Sequence, residues 1–147
     1  MWRMKLIFAL ITGIYMLALG AGCASVPLAT EAENEAAKYF SPSPGKAKIY
    51  VFRSAAITGS AVALQVSADG RIVGVTGPGT FLAFELSPGT HSIMSFAFDS
   101  TASLRINAQA NKLYFIEQSR KIAHKLTLVD ATEGRAKVKK YKLVQNN

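Results

Sequence analysis

Cys23, His91 and His124 are the side chains with which this 147-residue chain could do nucleophilic, acid–base or metal chemistry. Nucleophilic catalysis needs a nucleophile, a base and a group that orients the base. His91 follows the Pro88-Gly89 turn and reads as a surface or half-buried polar residue at the start of a strand. His124 stands between Lys121 and Lys125, whose charges depress an imidazole pKa instead of preparing a carboxylate-supported base. The histidines are 33 positions apart, and neither His-x-x-x-His nor Cys-x-x-Cys occurs, so the spacing implies no metal site. Among the carboxylates, Glu31, Glu33 and Glu35 crowd an N-proximal segment and Asp69 belongs to a turn, which leaves no working pair. Gly77-Pro78-Gly79 lacks the following Lys-Ser/Thr and the strand-to-helix setting of a phosphate loop. These residues imply no cofactor, and the expectation is a protein that is not an enzyme.

Cys23 is the single cysteine, so no intrachain disulfide can form, and its thiol needs another use. Before it come Arg3 and Lys5, an apolar run from Leu6 to Leu19 interrupted by Thr12 and Gly13, and the small residues Gly20-Ala21-Gly22. Residues 1–22 thus have the three parts of a secretory signal, and the apolar run is nearer that length than the roughly 20 residues of a spanning helix. The cysteine after small residues resembles the lipobox of bacterial lipoproteins, with Leu19 four positions before it and Gly20 three. The resemblance implies a diacylated Cys23 exposed by cleavage. Ala24 and Ser25 follow where an Asp would imply inner-membrane retention, so the periplasmic face of the outer membrane is the expected location. Two or more acyl chains hold a protein stably on a bilayer, whereas one holds it marginally.

Charge is unevenly distributed. The whole chain carries +8, of which Arg3 and Lys5 leave with the signal. Residues 23–119 are neutral, with seven basic and seven acidic side chains, whereas residues 120–147 carry eight basic against two acidic ones. Lys137, Lys139, Lys140 and Lys142 form the densest part of that excess and are candidate residues for binding an anionic envelope polymer or an acidic envelope protein. Nucleic acid is not an expected partner in that compartment.

The elements that would position these residues are mostly strands. Residues 24–46 are rich in Ala, Glu, Ser and Pro and read as a tether behind lipidated Cys23. If flexible, it would reach roughly 25–30 Å, and within it Thr30 to Phe40 could form a short helix with Thr30 and Glu33 as a capping box. From residue 47 the apolar period becomes two. Lys48 to Arg53 is apolar on both faces, and Val62, Leu64 and Val66 share a face. Asp69-Gly70 marks a hairpin, Ser87-Pro88-Gly89 a second turn, and Met94, Phe96 and Phe98 fall on one face of a later strand. Asp130 to Gly134 fits either a turn or a first helical turn, and Lys137 to Val144 reads as an edge strand. The expected fold is a single all-β domain over 47–147, an antiparallel sandwich of seven or eight strands, immunoglobulin-like or transthyretin-like.

With these residues in order, the domain resembles a family of uncharacterised bacterial lipoproteins, domain of unknown function 2846. The resemblance rests on Lys48-Ile49-Tyr50-Val51-Phe52-Arg53, on Val66 to Gly74, on Leu86-Ser87-Pro88-Gly89-Thr90-His91, and on Glu133-Gly134-Arg135 with Lys142-Leu143-Val144. It implies a small β-sandwich behind a lipid anchor and supplies no catalytic residues. The expectation is a membrane-anchored envelope lipoprotein that serves as a binding or structural module. The alternative is a hydrolase or inhibitor-type module acting on a cell-wall or secreted target.

Overall fold

The computed structural model describes residues 26–55 and 62–146, so the expected signal, Cys23, Ala24 and Ser25 lie outside the described residues. In chain order the elements are α1 (Glu31–Ala37), β1 (Ala47–Arg53), β2 (Leu64–Ala68), β3 (Arg71–Thr76), β4 (Thr80–Leu86), β5 (Gly89–Phe96), β6 (Thr101–Ala108), β7 (Leu113–Ser119), β8 (Lys125–Val129), α2 (Ala131–Lys140) and β9 (Lys142–Leu143). They form two sheets, β8-β7-β1-β4-β9 and β3-β2-β5-β6, which enclose a core of Ile49, Val51, Val66, Leu82, Ile93 and Ile116.

The mostly-β reading holds, but the fold is not wholly antiparallel. β1 pairs with β7 in parallel, and β4 with β9 likewise. Parallel partners need a long crossover, and here the entire second sheet together with β4 lies in the chain between β1 and β7. Hairpin signals sit in adjacent residues and reveal only neighbouring antiparallel strands. One such signal is explicit at β2–β3, where Asp69 and Gly70 have φ of 49° and 80°, the two positive values a type I′ turn requires.

β1 is apolar on both faces because each faces a different core. Ile49 and Val51 point between the sheets, and Tyr50 and Phe52 point outward beneath the helices with Phe40, Phe81, Phe115 and Val138. In this second cluster the Tyr50 and Phe115 rings stack at 5.0 Å, and the Tyr50 hydroxyl donates to the Ala37 carbonyl at 2.7 Å. Burial pushes the Tyr50 phenol pKa well up.

Two sequence expectations change with this outer layer. The segment expected as a tether is, over residues 26–46, part of the folded body. The Thr30–Glu33 capping box starts α1, Phe40 is buried, Leu28 bridges to Val144, and the Ser43 amide donates to the Glu85 carboxylate at 2.8 Å. The C-terminal edge strand is also replaced. Asp130 accepts from the Thr132 and Glu133 amides and starts α2, which runs to Lys140 and leaves only Lys142–Leu143 as strand. Gly134 and Val138, one turn apart, are the buried residues of α2, and that spacing of four is the helical one.

On β5 the face that carries Met94 and Phe96 is the outward one. Ile93 and Ser95 point inward and are fully buried, while Met94 and Phe96 are half-exposed and Phe98 is exposed. A polar residue occupies an inward position because its hydroxyl is used there.

Candidate functional site

β1 and β7 end together at Arg53 and Ser119, while β4 and β9 begin beside them at Thr80 and Lys142. The 97–100 loop between β5 and β6 and the 120–124 loop between β7 and β8 lie at this same end. Here a line of polar side chains crosses the core. Thr76 donates to the Gln118 amide oxygen, and Gln118 Nε2 donates to Ser95 Oγ at 2.5 Å. Ser95 Oγ lies 2.6 Å from His124 Nε2, His124 Nδ1 lies 3.1 Å from Ser100 Oγ, and Ser100 donates to Asp99 at 2.9 Å.

The donors fix the direction of this line. Ser100 gives its proton to Asp99, so His124 Nδ1 donates to Ser100 and carries a proton. In the neutral ring Nε2 then accepts from the Ser95 hydroxyl, whose oxygen takes the Gln118 amide on a lone pair. Burial first, and the Arg120 and Arg53 charges after it, hold the His124 pKa below its ordinary value. The expected depression is present, but its main cause is desolvation and not Lys121 or Lys125. A serine beside a histidine has the composition of a nucleophile and base. Ser95 is fully buried, however, and cannot meet a substrate atom.

His91 occupies the opposite end. Its Nδ1 lies 2.6 Å from Asp69 Oδ2 and its Nε2 lies 2.7 Å from the Ser87 carbonyl. Both partners can only accept, so both ring nitrogens carry protons and the ring is a cation. The hydrogen bond to Asp69 raises the His91 pKa, and His91 with the Ser92 amide lowers that of Asp69. With no free lone pair in this arrangement, His91 is not placed to act as a base. A cleft of about 400 Å³ opens nearby between β3 and β4, lined by Asp69, Arg71, Val73, Phe84, Glu85 and Leu86.

The four candidate lysines are not on an edge strand. Lys137, Lys139 and Lys140 occupy the last turn of α2, with Lys139 and Lys140 exposed and Lys137 half-buried. Cations at this position also complement the negative end of the helix dipole. Lys142 begins β9 and pairs with Glu31 at 3.1 Å. The Tyr114 hydroxyl donates to the Asn107 carbonyl and accepts from the Gln109 amide.

Sequence reasoning missed the buried polar line. Gln118 was findable, since it continues the Tyr114–Ile116 alternation onto the inward face, but Ser95 was masked by the apolar Met94 and Phe96 beside it. Among the described residues no group of three or more His, Cys, Asp or Glu is arranged to hold a metal ion. Nor is any helix among them long and apolar enough to cross a membrane.

Residues 43–138 match the family described as protein of unknown function (DUF2846). An uncharacterized protein of Haemophilus influenzae is 29% identical over 132 residues, covering 80% of this chain and 78% of its own length.

Proposed function

The chain belongs to the DUF2846 family of proteins of unknown function, and within it we propose that this member is a non-enzymatic envelope lipoprotein anchored through Cys23. The reading rests on one observation: the small-residue run that ends at Cys23 stops three positions before Val26, where the folded body has already begun. Three residues span at most about 11 Å. Acyl chains on Cys23 would therefore hold the domain against the periplasmic face of the outer membrane, in place of the 25–30 Å excursion of a free tether.

Lys137, Lys139, Lys140 and Lys142 are the residues proposed to engage an anionic envelope polymer or acidic envelope protein. Replacing all four by Gln should weaken retention on anionic vesicles or capture of that partner, most strongly at low salt. Binding unchanged at every salt concentration would remove these lysines from the proposal. Mass spectrometry of the protein isolated from its own membranes tests the anchor: the expected product begins at Cys23 and carries acyl mass. A product retaining residues 1–22 with no acyl group would end the lipoprotein reading.

The hydrolase alternative gains little from a buried Ser95 and a doubly protonated His91. The inhibitor alternative predicts a stoichiometric partner in a pull-down.

A further inference from the structure

Two large apolar side chains stand out in solvent at the end of the sandwich where β1 and β7 terminate. Phe98, in the 97–100 loop, is 86% exposed, and Ile122, in the 120–124 loop, is fully exposed. The loops are tied to each other and so present both side chains together. Arg120 pairs with Asp99 through two 2.9 Å contacts, its guanidinium lies 5.9 Å from the Phe98 ring centre, and Ser100 meets His124.

Cations stand at this end too. Lys121 and Lys125 lie on either side of Ile122 in the chain and are exposed, and Lys142, whose amide donates to the Gly79 carbonyl, brings the α2 terminus with Lys139 and Lys140 to the same end at the β9 edge of the sheet. The acids nearby are occupied. Asp99 is paired with Arg120, Glu31 with Lys142, Glu33 with Thr30, and Glu117 accepts from Ser54. Among the described residues no acid pairs with Lys121, Lys125, Lys139 or Lys140. The chain also enters here, since Val26 lies beside Gly77 in the β3–β4 turn.

We propose that this end of the domain docks on a bilayer containing anionic phospholipid, with Phe98 and Ile122 entering the boundary between headgroups and acyl chains and the lysines lying among the phosphates. The inference rests on the membrane-held reading above and adds the orientation. Isolated apolar tips with cations beside them suit that boundary, where apolar groups enter and basic side chains stay with the headgroups. Two side chains fall far short of the roughly 800 Å² per partner that a stable protein interface buries. Such a contact is weak for a free protein and becomes effective when the chain is already held within about 11 Å of the surface.

The test places tryptophan at Phe98, Ile122 or Lys112, the last at the opposite end of the body. Each variant is expressed as the full chain, isolated from membranes and reconstituted with brominated phosphatidylglycerol and phosphatidylcholine. Cleavage before Cys23 removes Trp2, the chain's single tryptophan, so the introduced tryptophan is the only one in the processed protein, and the unsubstituted protein gives the baseline for any chain left uncleaved. Quenching at 98 and 122 but not at 112 is expected. Replacing Lys121 or Lys125 by Gln should reduce the docking constant about fivefold each at low salt. Equal quenching at all three positions overturns the proposal, as does quenching at none. Tips unquenched on vesicles that crosslink to a protein in cells would assign this end to a protein partner instead. Acyl mass on Cys23 with unquenched tips leaves the anchor standing and removes the docking, whereas quenched tips without acyl mass do the reverse.

Discussion

His91 and His124 are held in opposite charge states by what faces them, and this gives the protein opposite pH responses at its two ends. His91 has acceptors at both nitrogens and a pKa raised above 6.5. Its contribution to stability is complete below 6.5 and is lost as pH rises through the raised folded value. His124, neutral, accepts a hydrogen bond from Ser95 and has a pKa depressed below 6.5, so its contribution is present above 6.5 and is lost as pH falls through the depressed value. Chemical denaturation across pH should separate the two. His91→Gln should flatten the decline on the alkaline side of 6.5, and His124→Gln should flatten the decline on the acid side. Either variant keeping the slope of the parent protein would show that the imidazole is not held as described. No sequence rule could have made these assignments, because Asp69 and Ser87 meet His91 only after the β2–β3 and β4–β5 turns bring them there.

The helix α2 depends on contacts at its start and in its middle. A Cβ built on Gly134 would lie 2.2 Å from Phe115 Cγ, and Phe115 is buried in the outer core with no room to retreat. Alanine improves helix propensity by about 1 kcal/mol, but forcing an atom into a filled core costs about 1–3 kcal/mol and should win. Gly134→Ala is therefore expected to lower the melting temperature, and a more stable variant would contradict the packing of α2 on β7. Asp130→Ala removes the acceptor for two helix amides and should cost about 1 kcal/mol, or about 3–5 °C in a domain of this size. The strands were legible because period-two alternation is local: each of the segments expected to be β between residues 48 and 129 contains or overlaps an observed strand. Helix α2 was less so. Its polar surface hides a buried face of only Gly134 and Val138, and Val138, Tyr141 and Leu143 mimic a strand when read without the sheet beneath them.

Across the whole molecule, the parallel pairing of β1 with β7 and the layer of helices outside the five-stranded sheet were hidden for a common reason: both join segments far apart in the chain. Residues 26–46 have the composition of a linker because their fixed points are few and distant. Phe40 fills a gap against Tyr50 and Phe115, the Gly45 amide donates to Asn111, and the Lys46 carbonyl accepts from the Asn111 amide. Limited trypsin digestion distinguishes a docked segment from a free one, since a protease cuts backbone that opens easily. Lys38 and Lys46 are the informative sites, and Arg120 and Lys121, in the loop that carries the fully exposed Ile122, are the reference. Cleavage after Arg120 or Lys121 should come first, with the bonds after Lys38 and Lys46 surviving until the body itself unfolds. A first fragment beginning at Tyr39 or Ala47 would mean that residues 26–46 detach readily, and the short distance between Cys23 and the folded body would be lost with them.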